Sequence, residues 1–176
     1  MNRMKFNSFA LGLAVCMAAV GCATAPTVPA PLQVPRGQEL LLQLHATGAQ
    51  IYQCQAQRDA SQFEWVFKFP EATLFTKRGR NFGKHYAGPT WEANDGSRVI
   101  GDMLASQQSP TAHAIPWLLL RAKATLGRGA FSNVKYIQRL NTVLGSAPAV
   151  LCRQDQSGQQ LRASYSADYF FFGIKR

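Results

Sequence analysis

The chain is short of several features that would each have fixed a function class. It has no stretch of helical length with a 3.6-residue apolar period, residues 102–108 making at most one short turn, so helical bundles and doubly wound α/β folds are excluded. No Gly-x-Gly-x-x-Gly follows a strand, which removes the dinucleotide-binding fingerprint. No Gly-x-Ser-x-Gly elbow frames a nucleophile, Gly145-Ser146 falling short of it. Cys-x-x-Cys is absent, and the three histidines, His45, His85 and His113, lie forty and twenty-eight residues apart, so zinc spacing is absent and no metal or cofactor is expected. The longest apolar run, residues 9–20, covers about 18 Å as a helix, against about 30 Å for a hydrocarbon core. Acidic residues are also few: nine Asp and Glu against nineteen Lys and Arg, a formal charge of +10.

What is present begins at the N-terminus. Arg3 and Lys5 precede that apolar run, and Ala19-Val20-Gly21 lead into Cys22. A basic start, a short apolar segment and small residues at a cut are the layout of a secretory signal. Ending at Gly-Cys, it resembles a bacterial lipobox, in which the cysteine is acylated and becomes the mature N-terminus. An ordinary cut after Ala23-Thr24-Ala25 would put Pro26 just beyond it and fits less well. Residues 1–21 are therefore expected to be a lipoprotein signal peptide. Ala23 in place of Asp after the cysteine points to the outer membrane of a bacterial envelope.

That boundary sorts the cysteines. Cys16 leaves with the signal and Cys22 takes the lipid, so Cys54 and Cys152 remain, and outside the cytoplasm two such residues usually pair. Two free thiols or half of a metal site is the competing reading. Removal of the signal leaves seventeen basic and nine acidic residues, with most of the excess beyond residue 95, where Arg121, Lys123, Arg128, Lys135 and Arg139 fall close together. A positive face favours anionic partners such as phospholipid, phosphorylated lipid-linked sugars or an acidic protein, or serves solubility alone. Nucleic acid is disfavoured by the compartment.

Residues 22–36 contain Pro26, Pro29, Pro31 and Pro35 and read as an extended tether. Residues 37–176 suffice for one domain with one core, and nearly every periodic segment alternates with period two. Leu40, Leu42 and Leu44 share a face, as do Trp65, Phe67 and Phe69. So do Leu118, Leu120, Ala122 and Ala124, and Leu161, Ala163, Tyr165, Ala167, Tyr169 and Phe171. Weaker strand signals start at Gln50 and Val134 and lie near Val99. Turn signals fall at Thr47-Gly48, Asn94-Asp95-Gly96-Ser97, residues 127–129, Gly145-Ser146 and Gln156-Ser157-Gly158. About eight such strands predict an all-β, antiparallel sandwich or small barrel with one disulfide.

The densest group of unusual residues is Gly83-Lys84-His85-Tyr86-Ala87-Gly88-Pro89-Thr90-Trp91-Glu92, read as a loop between strands. His85, Trp91 and Glu92 are candidate binding residues there, together with Arg121, Lys123 and Arg139 from the basic half. Alternatively His85 and Glu92 are base and acid of a hydrolase acting on a sugar or ester, or Glu92 pairs with Asp95 or Asp168 as carboxylates for sugar cleavage. Against these stand plainer readings: Trp91 plugging the core, Asp95 shaping a turn, Asp168 pairing with Arg139.

Gly48-Ala49-Gln50-Ile51-Tyr52-Gln53-Cys54, Phe69-Pro70-Glu71-Ala72-Thr73-Leu74, His85 to Glu92, Asp95-Gly96-Ser97, Ile115-Pro116-Trp117-Leu118-Leu119, Tyr136-Ile137-Gln138-Arg139 and Ala167-Asp168-Tyr169 follow one another in order. In that order and spacing, over roughly residues 37–172, the chain resembles the family known as domain of unknown function 3455, secreted bacterial and fungal proteins with no established activity. The resemblance carries the Cys54 and Cys152 positions and so supports their pairing. Some fungal members bear a malate dehydrogenase label, which the missing dinucleotide motif argues against. The expectation is a lipid-anchored envelope protein that binds an anionic envelope component or a protein, without catalysis. Inhibition of an envelope-attacking hydrolase is one form of it.

Overall fold

The computed structural model describes residue 1, residues 28–58 and residues 62–174. The signal segment, Cys22 and the first part of the proline-rich stretch lie outside the described residues. Period-two alternation gives eight strands: β1 (Glu39–Ala56), β2 (Phe63–Phe75), β3 (Asn81–Tyr86), β4 (Thr90–Ala93), β5 (Arg98–Gln107), β6 (Trp117–Leu126), β7 (Val134–Leu144) and β8 (Gln160–Gly173). Each pairs antiparallel with the next, and β8 pairs with β1, so the sheet closes into an up-and-down barrel. Of the sandwich and the barrel that the alternation allowed, the chain forms the barrel, which leaves no open sheet edge.

The strand directions place the connections 57–62, 87–89, 108–116 and 145–159 at one end, and 76–80, 94–97 and 127–133 at the other. The second end is closed by large side chains. Trp91, Phe131, Phe171, Leu74, Val99 and Val134 are fully buried there, the Phe131 and Phe171 rings 4.9 Å apart. Gly101 makes room for this plug, since a Cβ at that position would lie 2.9 Å from the Trp91 ring. An eight-stranded barrel is just wide enough either to be filled by its own side chains or to hold one small ligand. Here one half is filled.

Several sequence readings change. Thr47-Gly48 is no turn: β1 runs unbroken through it as the longest strand. Gly48 instead permits close approach of β2, because a Cβ there would overlap the Glu71 carbonyl. Residues 102–107 belong to β5 rather than to a helical turn. Leu40 leaves the face of Leu42 and Leu44 at an irregularity in the β1–β8 register and is exposed. The stretch 83–92 is no long loop but the β3–β4 hairpin, turning at residues 87–89. Asp95 does shape its turn: it accepts from the Ser97 amide and hydroxyl at 2.8 and 2.6 Å, and from the Ala130 amide at 2.8 Å.

The end of the proline-rich stretch is not a free tether. A 3-10 turn, Ala30–Leu32, lies on the outside of β5 and β6. Leu32 is fully buried against Trp117, Leu119 and Leu140, and Gln138 Nε2 donates to its carbonyl at 2.7 Å. This second apolar cluster explains why both faces of early β6 are apolar: Leu118 and Leu120 pack inside the barrel, Trp117 and Leu119 outside it. Cys54 and Cys152 form a disulfide, Cα atoms 5.9 Å apart, which ties the 145–159 connection to the end of β1.

Candidate ligand chamber

The half of the barrel opposite the plug encloses a cavity of about 650 Å³. Its wall is mainly apolar, with Phe67, Phe69, Ile115, Leu118 and Leu120 among its residues. Alternation explains most of this: Phe67, Leu118 and Leu120 lie on the inward faces of their strands and Ile115 on the connection that crosses the open end, while Phe69 reaches the cavity at the β1–β2 irregularity that skips Lys68. Volume and lining match those of ordinary small-molecule sites.

A few polar groups interrupt the apolar wall. Arg139 pairs across β7 with Leu118 of β6 and Tyr169 of β8, and directly opposed residues in antiparallel strands share a face, so it points inward. Its Nε and Nη2 both donate to the Pro116 carbonyl, at 3.1 and 2.9 Å. Among the described residues the ion pairs are His45–Asp168, Lys84–Glu92, Arg121–Asp102, Arg153–Asp155 and Arg162–Glu71, so Arg139 has no carboxylate partner. Gln50 lines the cavity at 2% exposure, and its amide nitrogen has no hydrogen-bond partner. The Tyr165 and Tyr169 hydroxyls are buried beside each other, Tyr165 near Gln50 and Tyr169 near Arg139, but none of these contacts reaches full hydrogen-bond geometry. Burial pushes both phenols well above their usual range, the Arg139 charge opposing the shift in each. Tyr52, raised by burial in the same way, donates to the Gly145 carbonyl at 2.7 Å.

Of the sequence candidates, Arg139 and His85 reach this cavity. His85 is 2% exposed and stacks on Trp91, and its Nδ1–H donates to the Thr90 carbonyl at 2.9 Å. Burial first, and the Arg139 charge in addition, pull its pKa down to about 3 against the raising effect of the Thr90 hydrogen bond, so the ring is neutral near neutral pH. Glu92 goes elsewhere. It pairs with Lys84 across β3 and β4, one residue out of phase with the His85–Trp91 pair, and so faces outward. There it accepts from the Tyr86 hydroxyl at 2.6 Å, which holds its carboxyl below the ordinary range, and lies 3.5 Å from Lys84 Nζ. His85 and Glu92 therefore do not converge as an acid–base pair.

The remaining candidates also separate. Arg121 and Lys123 stand exposed on the outer face of β6, Arg121 held by Asp102 at 2.8 Å, while Arg139 is inside. Asp168 does not pair with Arg139: it accepts from His45 Nδ1 at 2.8 Å and Asn141 Nδ2 at 2.9 Å on the outer surface. Among the described residues no three His, Cys, Asp or Glu side chains cluster as metal ligands. Sequence reasoning missed Gln50 and Tyr52. A polar residue on an alternating face is the signal that pointed to them, but alternation alone does not say which face encloses a space.

The family described as Protein of unknown function (DUF3455) matches residues 35–173, the whole barrel. The chain belongs to this family. No curated protein and no solved structure matches it. The matched span contains the chamber, its polar residues and both disulfide cysteines, and leaves out Leu32 and the lipobox-like segment.

Proposed function

We propose that this member of the family is a bacterial cell-envelope lipoprotein, acylated at Cys22, whose barrel captures a small amphipathic anion without turning it over. The observation that carries the reading is Arg139, a guanidinium facing an apolar chamber with no carboxylate of the described residues to neutralise it. Arg139 keeps donors beyond the two that meet the Pro116 carbonyl, and the Gln50 amide nitrogen in the same wall is a buried donor of the kind that costs about 1–3 kcal/mol when unmet. A carboxylate, phosphate or sulfonate head would satisfy both, while its apolar body lay against Phe67, Phe69 and Leu118. This supports the anionic envelope component expected from charge, although the charge that matters lies inside the barrel and not on its basic surface. The hydrolase alternative loses its support with the separation of His85 from Glu92.

The test is displacement of an anionic naphthalene sulfonate dye by long-chain carboxylates, followed in the wild type and in Arg139→Gln. A charge-assisted hydrogen bond is worth roughly 1.5–3 kcal/mol, so Arg139→Gln should weaken carboxylate binding about ten- to a hundredfold and leave an uncharged alcohol of the same length little changed. Equal affinity of wild type and variant for the carboxylate would refute the reading. A protein partner, an envelope-attacking hydrolase included, would dock outside the chamber and be indifferent to this substitution.

A further inference from the structure

We infer that the open end of the barrel rests on the membrane surface, so that the chamber opens toward lipid rather than toward solvent. Exposed apolar residues are not spread evenly over the molecule. Phe67, Met103, Leu104, Val143, Leu144, Val150 and Leu151 all lie on the open half or the connection that caps it, Val150 at 78% exposure. The closed end shows Leu40, Leu126 and Ile174. Large apolar side chains ringing an opening, with Lys68 and Arg139 beside them in the chamber wall, suit the boundary between acyl chains and anionic headgroups.

The second observation is the course of the N-terminal strap. From Glu39, paired with Gly173 at the closed end, the chain leads back to Leu32, which sits beside Trp117, the first residue of β6 at the open end. Val28 and Ala105 belong to the same outer cluster. Val28 is six chain steps from Cys22, and an extended chain covers at most about 3.6 Å per residue, so an anchor at Cys22 would stand within about 20 Å of this cluster. The docked Leu32 thus shortens the tether and favours presenting the open end, not the plugged one, to the bilayer. The ligand source this implies is the lipid of that bilayer, a class that deepens the chamber reading and rests on it and on acylation at Cys22.

The experiment uses the full-length protein, purified with whatever modification it carries, in vesicles of phosphatidylethanolamine and phosphatidylglycerol containing nitroxide-labelled lipid. With Cys54 and Cys152 bridged, single cysteines introduced as Leu104→Cys, Val150→Cys or Leu126→Cys carry a fluorophore. Strong quenching at 104 and 150 with little at 126 is the expected result. Equal quenching at all three positions, or more at 126, would overturn the inference. If mass spectrometry finds Cys22 unmodified, the same labels are placed in a Cys16→Ser/Cys22→Ser background; co-flotation with quenching at 104 and 150 above that at 126 would still support docking through the rim, and any other result would overturn it. The Arg139→Gln dye assay is read separately in detergent, so loss of the chamber reading is distinguishable from loss of the orientation.

Discussion

His85 and Trp91, directly paired on β3 and β4, stack with ring centroids 4.4 Å apart and planes inclined by 11°. The pair is a wall between plug and chamber: Trp91 also meets Tyr169 edge-on at 5.3 Å and Phe171 at 6.0 Å. His85→Ala removes a buried ring and its hydrogen bond to the Thr90 carbonyl, and a loss on the order of 1–3 kcal/mol is expected in chemical denaturation. Glu92→Gln, on the outer face, should leave the denaturation midpoint nearly unchanged. A stable His85→Ala variant would contradict the packing role.

The same burial predicts a pH dependence. An unfolded histidine titrates near 6.5, and His85 in the barrel near 3. Because the folded value is the lower one, the unfolded chain binds a proton that the native chain refuses. Stability is therefore complete above about pH 6.5 and declines as pH falls toward 3, by about 1.4 kcal/mol per unit. The carboxylates with lowered values, Glu71, Glu92, Asp95 and Asp155, act only below their own ordinary range, so the window between pH 5 and 6.5 belongs to histidine. His45 and His113 are common to both proteins and cancel. The stability gap between wild type and His85→Gln should narrow by about 2 kcal/mol from pH 7 to pH 5; parallel curves would rule the mechanism out.

Strand alternation made most of the barrel legible in the sequence. The face of β8 and the Asp95 turn were readable because period two and turn chemistry are local. In β2 and β6 the alternation breaks at irregularities that skip Lys68 and Lys123, so Phe69 and Ala124 leave the faces of Phe67 and Ala122. The disulfide was readable from compartment and count. Closure was not, since alternation says which residues share a face and nothing of whether that face curls round a space. For the same reason the 83–92 stretch read as a loop: its glycines and proline signal a turn, but the strands on either side are only six and four residues long. Gly48 misled in the opposite way, because a glycine required for close approach of two backbones looks like one required for a turn. Leu32 was hidden among prolines, where one apolar side chain carries no periodicity.

Gln50 separates function from stability. Its buried amide nitrogen makes only a poorly formed contact with the Tyr165 hydroxyl, so Gln50→Leu should change the stability of the free protein by no more than about 1 kcal/mol, while weakening capture of the anionic dye. Thermal melts with and without dye read both effects. Unchanged dye affinity in a stable Gln50→Leu protein would remove Gln50 from the ligand's surroundings.

Leu32 tests the strap. Deleting a fully buried leucine side chain usually costs about 2–5 kcal/mol, and Leu32→Ala is expected toward the lower end because the strap covers the barrel only from outside. Limited proteolysis should cut the variant near residues 28–36 at protease concentrations that leave the wild type intact. Equal resistance would show that the outer cluster does not hold the strap.

Cys22→Ala should block acylation and leave the protein unprocessed or released from the membrane fraction. Intact mass measurement of the wild-type protein should find a diacylated or triacylated cysteine at the mature N-terminus, in the outer-membrane fraction. An unmodified N-terminus beyond Cys22 would exclude the anchor.

The disulfide joins residues 98 apart in sequence, and so acts mainly by restricting the unfolded chain. The chain-entropy account gives about 4.7 kcal/mol for a loop of about a hundred residues, a large share of the 5–15 kcal/mol that holds an ordinary domain together. Its place gives it a second effect. Cys54 ends the β1 wall near the chamber, and Cys152 lies in the connection that carries Val150 and Leu151. Reduction should therefore lower the melting temperature clearly, and the double variant Cys54→Ala/Cys152→Ala should do the same without reductant. In native conditions the loss should appear first as hydrogen exchange in the 145–159 connection and the upper half of β1, with the plugged end still protected. Uniform loss of protection at both ends would mean that the bridge supports the whole barrel and not its open end.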